Sequence, residues 1–347
     1  MSPDVRLVSI KVQVQDSLEA INEYLLSKGM SDGLPVVPPT EARVRAFVEY
    51  TGKDPRQKVA EVAPMNGEAT VEKIAVNAVM AGCKKEYMPV LIAAVAAMAE
   101  PRFSLSGMQA TTNPVAPLLI VNGPIRDELN VNYKSGLLGP GWQANATIGR
   151  AVRLILLNLG GAWPGTVDKA TQGSPGKYTF CIAENEEENP WEPLHVERGF
   201  KKDESTVTVS GVHGTQNIIE ASPDTEEVLL TFKYALRDVG CNNFNDGSGE
   251  PGLLLCPSHA GLIKRVFATK NDFKKWLWEN TQVPADWISK RKKEQETWPG
   301  REINGKVPMI RRWQDWMVMV GGGDGAVHST FMPTRGSAMS ATRRIER

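Results

Sequence analysis

Three runs in this chain are apolar at every position, and each stops at a turn of small or polar residues. They are PLLIV at 117–121 before Asn122-Gly123-Pro124, LLLC at 253–256 before Pro257-Ser258-His259, and WMVMV at 316–320 before Gly321-Gly322-Gly323-Asp324-Gly325. A strand with one face in water alternates polar and apolar residues, so an unbroken apolar run belongs to a strand covered on both faces. The fold class this predicts is α/β, with a mixed or mostly parallel sheet flanked by helices. Open α/β sheets bind ligands beyond the carboxyl ends of their strands, so the three turns predict one common functional edge.

The rest of the chain supplies helices for such a sheet. A helix is expected over 17–28, capped by Asp16 or Ser17 and stopped at Gly29, and another runs from Thr40 to about Tyr50. Between them the Pro-rich stretch SDGLPVVPPT sets an extended path that wraps a surface or lines a cleft. The segments 70–81, ending at Gly82, and 86–99, with Pro89 in its first turn, are apolar on several faces; they belong in the core or at a subunit interface. Further helices are expected over 223–238, 259–268 and 271–280, and strands over 206–210 and, by alternation, 5–14. KRKKEQE near Lys290 reads as a solvated helical face, and the tail after Thr334 as a flexible end or an arm around a second subunit. No internal repeat is visible. The chain is read as a helix-rich part over 1–135 and an α/β part over 136–347, or as one domain.

With 347 residues, 41% of them hydrophobic, the chain can bury a large core. Forty basic residues balance forty acidic ones, so no overall positive field gathers nucleic acid or an anionic membrane, and small molecules or proteins are the expected partners. The longest apolar stretch, 89–99, is about half of the ~20 residues a bilayer requires, and the opening residues do not resemble a secretory signal. A cytoplasmic protein is expected. Its four cysteines, Cys83, Cys181, Cys241 and Cys256, contain no CxxC pair and are expected to be reduced thiols.

The densest chemistry lies in 139–198. Gly139-Pro140-Gly141 opens a helix that Asn145 or Thr147 can cap and that carries Arg150 and Arg153, a pattern suited to a carboxylate or phosphate, or else a turn made for packing. Neither GxGxxG nor a Walker ending is present, so a nucleotide is not indicated. Glu184, Glu186, His195 and Glu197 are candidates for general acid/base work, and Glu184, Glu186 and His195 for a divalent metal; the alternative is a solvated acidic loop with His195 bound to a backbone group. Asn122, Asn145, Arg150, Lys177 and Gly322 make up the expected substrate-binding set. Cys256 and His259 stand where a strand gives way to a helix, which favours a thiolate, although a cysteine after three leucines can equally finish a buried strand. The glycines at 321–325, followed by His328 and Ser329, form an anion-binding nest or a hinge.

The strings DGLPVVPPT, VEKIAVNAVMAGCKKEYMPV, QATTNPVAPLLIVNGPI, GPGWQANATIGRA and PGKYTFCIAENEEENPWEPLHVERGF resemble a bacterial family, the UGSC proteins. That family is found with, or fused to, domains named for a selenocysteine-or-cysteine Gly-Ser-Cys motif. The similarity runs from about Asp32 through VGGGDGAVHS. It implies a multi-subunit enzyme with thiol or selenol chemistry, and since this chain has no Cys-Gly-Ser-Cys, a separate subunit would bring that motif. Two functions therefore stand. One is an enzyme or catalytic subunit performing lyase, hydrolase or reductase chemistry on a small polar, carboxylate-bearing molecule, in a homo-oligomer. The other is a non-catalytic subunit supporting a partner with a reactive Cys or selenocysteine.

Overall fold

The computed structural model describes residues 6–296, 298–323, 325 and 327–346. Its strands are β1 (Lys58–Val62), β2 (Gly67–Thr70), β3 (Ala116–Asn122), β4 (Cys181–Ala183), β5 (Thr206–Val212), β6 (Gln216–Ile219), β7 (Gly252–Leu255), β8 (Val283–Pro284), β9 (Lys306–Val307), β10 (Met317–Val320), β11 (His328–Met332) and β12 (Ala341–Arg344). β1 with β2 and β8 with β9 are small antiparallel pairs. The other eight form two mixed four-stranded sheets, ordered β12-β5-β3-β4 and β10-β7-β11-β6. The expected α/β class is therefore present, with the strands divided between two sheets.

The three apolar runs are covered on both faces by unlike partners. In β3, Leu119 and Val121 pack with the helices Val71–Ala81, Met88–Met98 and Gln143–Asn158, while Leu118 and Ile120 turn the other way and meet Leu254, Met317, Met319 and Met332 of the second sheet. In β7 and β10, Leu253, Leu255, Val318 and Val320 pack under the helices Thr225–Ala235, Pro257–Lys264 and Lys270–Asn280. The result is four layers, helices, sheet, sheet, helices, with a shared core between the sheets. Apolarity of the 70–99 segment is used inside this chain, since Val90 and Val95 are buried. The helix Val71–Ala81 begins where the Thr70 hydroxyl caps the Lys73 amide and ends at Gly82 in the left-handed region, as its sequence signals require.

The connectivity repeats. From β3 the chain goes to a parallel neighbour, β4, and then to an antiparallel neighbour on the other side, β5; from β7 it goes likewise to β10 and then β11. Each unit then sends its fourth strand into the other sheet. β6 follows β5 but pairs with β11, and β12 follows β11 but pairs with β5. Where the two connections cross, the His213 amide donates to the Pro333 carbonyl (2.9 Å) and the Arg335 amide to the Gly211 carbonyl (3.0 Å), around an antiparallel bridge between Val212 and Thr334. Matching bonds on both sides are what an internal two-fold axis produces.

Two readings change. Residues 6–14 join no sheet: the Val8 and Ser9 amides donate to the buried Glu72 carboxylate, and Val8, Ile10 and Val12 are exposed. Alternation there does not reflect a buried face. The tail after Thr334 is not loose, because 341–344 is the edge strand of the first sheet. No helix among the described residues is long and apolar enough to cross a membrane.

The crossing carries a pH dependence. Burial, with the Arg335 guanidinium close by, pushes the His213 imidazole down to about 4 from its ordinary 6.5. Below pH 6.5 the unfolded chain takes up a proton that the folded chain refuses, so stability falls as pH drops from 6.5 toward 4. At about 1.4 kcal/mol per pH unit the loss is roughly 3 kcal/mol. Urea unfolding at pH 7 and pH 4 should show a difference smaller by that amount in His213→Gln; equal acid losses in both proteins would show that the imidazole titrates normally.

Candidate functional site

The expected common edge exists, although it spans both sheets. The Glu184 amide donates to the carbonyl of Val121 at the end of β3, the next amide, Asn185, donates to Val320 at the end of β10, and the Gly321 amide donates to Leu255 at the end of β7. The carboxyl ends of β3, β4, β7 and β10 thus form one row. The matching bonds also pair positions between the units: Asn122 corresponds to Cys256, Glu184 to Gly321 and Glu186 to Gly323.

In the first unit this edge is filled by the chain's own carboxylates. Glu184, wholly buried, accepts from Asn122 Nδ2 (2.7 Å) and the Leu194 amide (2.8 Å) on one oxygen and from Asn189 Nδ2 (2.9 Å) on the other. Burial raises its pKa and the Glu186 charge adds to the rise, while Lys270, the Leu194 amide and Asn122 oppose it. Glu186 accepts from the Gly123 amide (2.7 Å) and from Asn122 Nδ2 (3.0 Å), and Arg126 Nε lies 3.4 Å from the same oxygen. His195 is wholly buried, with Nε2 3.4 Å from the Lys202 carbonyl and Nδ1 3.8 Å from Glu186. Glu197 lies between the buried Lys270 (3.0 Å) and Lys274 (2.6 Å), whose charges outweigh burial and hold its carboxyl below the usual range.

The expected metal set is corrected by this geometry. Among the described residues no group of three or more His, Cys, Asp or Glu side chains is arranged to hold a metal ion. The physical reason is that amide donors take up both oxygens of Glu184, and amide donors with Arg126 take up the Oε1 oxygen of Glu186. The alternative, a solvated loop Glu186-Glu187-Glu188 with His195 on a backbone group, holds in part: Glu187 and Glu188 are exposed and His195 lies against the Lys202 carbonyl, while the Glu186 side chain is buried.

The substrate-binding candidates are spread over separate networks. Asn145 is buried and ties the backbone together, accepting from the Asn132 amide (2.7 Å) and donating to the carbonyls of Asn132 and Cys181. Arg150 makes a two-pronged pair with Asp32 and reaches the carbonyls of Leu34 and Pro35, so it fastens the Pro-rich loop. Lys177 pairs with Asp168 at 2.5 Å. Asn122 belongs to the Glu184 network. Gly322, with φ +107°, has open space where a side chain would stand.

The second unit brings a different chemistry to the corresponding place. Cys256 leaves β7 and caps the start of the helix Pro257–Lys264. Ser329 Oγ, from β11, lies 2.8 Å from His259 Nδ1 and 3.9 Å from Cys256 Sγ, and accepts from the Cys256 amide (3.2 Å). His259 Nε2 lies 2.9 Å from the Glu220 carbonyl. A carbonyl only accepts, so Nε2 carries the hydrogen and Nδ1 of the neutral ring is an acceptor. The buried Phe232 ring stands edge-on against the imidazole at 5.4 Å and holds its plane.

The electrostatics separate this cysteine from the others. Burial pushes Cys83 and Cys241 up to about 12 and raises Cys181 further. At Cys256 burial acts in the same sense, but the His259 side chain and amide and the Ser329 hydroxyl outweigh it, and the thiol falls below its ordinary value. His259 moves the opposite way: burial would lower it, yet the neighbouring sulfur and Glu220 raise it. A lowered thiol beside a raised imidazole is the pattern of a thiolate and imidazolium pair.

Ser329 and Glu220 complete this arrangement without any clear sequence signal beyond the position of Ser329 after the glycine run. A scan against protein-family models finds no match to this chain, and a search of curated proteins finds none either.

Proposed function

We propose that this chain is a cysteine-dependent enzyme, or the catalytic subunit of one, acting on a small carboxylate-bearing molecule, with Cys256 as nucleophile and His259 as its base. The observation that carries this reading is the Cys256, Ser329, His259 chain at a strand end, with the single lowered thiol among the four cysteines. The thiol proton passes to Ser329 Oγ while the Ser329 proton passes to His259 Nδ1. The hydroxyl then donates to the thiolate and accepts from the imidazolium and the Cys256 amide, which satisfies all of its hydrogen-bonding positions. The thiolate attacks an electrophilic carbon of the substrate, and the imidazolium returns a proton to the departing group by the same route.

The comparison of units supports an anionic substrate. In the first unit the Glu186 carboxylate rests on the Gly123 amide at the strand-to-helix turn. The second unit has Gly323 at the corresponding position and no side chain to put there. Pro257 has no N–H and the His259 amide serves the Cys256 sulfur, so the first-turn amide that remains for an incoming carboxylate is that of Ser258. The UGSC resemblance, with its thiol or selenol chemistry, points the same way and keeps a partner subunit in view.

Iodoacetate tests nucleophile and anion preference together. The folded protein should take its first label on Cys256, ahead of the more accessible Cys83, and the rate ratio of iodoacetate to iodoacetamide should exceed that of a free thiol several-fold. Label on Cys83 with Cys256 untouched would remove Cys256 from the mechanism.

A further inference from the structure

A cleft of about 510 Å³ opens elsewhere, between the later half of the helix Gln143–Asn158, residues 162–178 and Asp32 of the Pro-rich loop. Its volume falls in the range of small-molecule sites. It shares no residue with the Cys256 site. At its wall stands Arg153, only 7% exposed. Its Nε donates to the Lys177 carbonyl (2.6 Å), and among the described residues neither terminal nitrogen of its guanidinium has a hydrogen-bond partner. Burial lowers its pKa to about 10, only partly offset by Asp168 and Asp32.

An arginine whose stem is buried and whose two-pronged end is left without a partner at a cleft wall is a receptor for an anion. The charges around it define what that is. Arg150 is matched by Asp32 and Lys177 by Asp168, which leaves the single positive charge of Arg153. The remaining wall is largely apolar, with Leu157, Trp163, Pro164, Pro175 and the half-exposed Tyr178.

We propose that this cleft is a binding site for a monocarboxylate with an apolar or aromatic body, its carboxylate gripped by the two free nitrogens of Arg153 and its body laid against Trp163 and the prolines. The site is independent of the chemistry assigned to Cys256.

Equilibrium dialysis of the full chain with 3-phenylpropionate, 3-phenylpropanamide and phenyl phosphate tests the assignment. The carboxylate should bind saturably and the uncharged amide at least roughly tenfold more weakly, since hydrogen bonds to a charged group are worth about 1.5–3 kcal/mol. Arg153→Met should lose binding by a similar factor. Arg153→Lys, which keeps the charge but not the fork, should fall between and guards against a variant that fails to fold. Cys256→Ser should bind the carboxylate as the native chain does. Equal binding of amide and carboxylate, tighter binding of phenyl phosphate, no saturation by any of the three, or loss of binding in Cys256→Ser would each overturn the proposal.

Discussion

His259→Ala will slow alkylation of Cys256 at pH 7 by roughly tenfold or more, and the pH profile will show why. In the native chain the iodoacetamide rate should rise with pH to a plateau whose midpoint lies below the ordinary thiol value of 9.0, because the His259 side chain and the Ser329 hydroxyl favour the thiolate against the effect of burial. Without the imidazole, burial is opposed only by the amide of residue 259 and the Ser329 hydroxyl, and the midpoint moves up. Each pH unit of that displacement removes about nine-tenths of the thiolate at neutral pH, a roughly tenfold slowing. Ser329→Ala should slow the reaction while leaving the imidazole in place, since it breaks the proton route between them. A native profile with its midpoint above 9.0, unchanged by His259→Ala, would return Cys256 to the role of a buried strand end.

Glu184→Ala will be among the most damaging single changes to stability. The side chain is wholly buried and accepts from Asn122, Asn189 and the Leu194 amide. Removing it strands the Leu194 amide outright, since Asn122 keeps Glu186 and Asn189 keeps the Glu192 carbonyl (3.4 Å). The stranded donor costs about 1–3 kcal/mol, and the two weakened asparagines and the cavity add to that, for a total of roughly 3–5 kcal/mol. Glu184→Gln keeps the shape and one acceptor and should cost about 1–2 kcal/mol. Denaturant midpoints measure both. A Glu184→Ala protein of native stability that no longer bound its ligand would restore Glu184 as a functional carboxylate, the role its place among Trp, Pro and His suggests in sequence.

Local signals located most of the elements. Ser17 caps the helix Leu18–Ser27, Gly52 and Gly82 end their helices in the left-handed region, and Pro89 stands in the first turn of Met88–Met98, because capping and backbone conformation are settled within a few residues of chain. The failures have an equally local cause. Alternation in 6–14 imitated a strand, but a strand needs an edge to pair with, and the Glu72 carboxylate took the amides instead. The polar candidates of 139–198 looked like one site because they are close in the chain. Folding sent Asn145 to backbone carbonyls, Arg150 to Asp32 and Glu184 to amide donors.

What the sequence determined by itself is the set of strands buried on both faces and the turns that end them, because unbroken apolar runs have no other stable place in water. It also determined that Cys256 and His259 lie within one turn of a strand end. Only the tertiary structure decided that those strands belong to two facing sheets, that each unit lends its last strand to the other, and that Ser329 arrives between the thiol and the imidazole. Such pairings join residues as far apart as Cys256 and Ser329, or β5 and β12, and nothing in the local pattern of either partner specifies the other. The internal repeat escaped notice for the same reason. It is carried by strand order and by backbone bonds such as His213 to Pro333 and Arg335 to Gly211, which constrain geometry and leave the side chains free to differ.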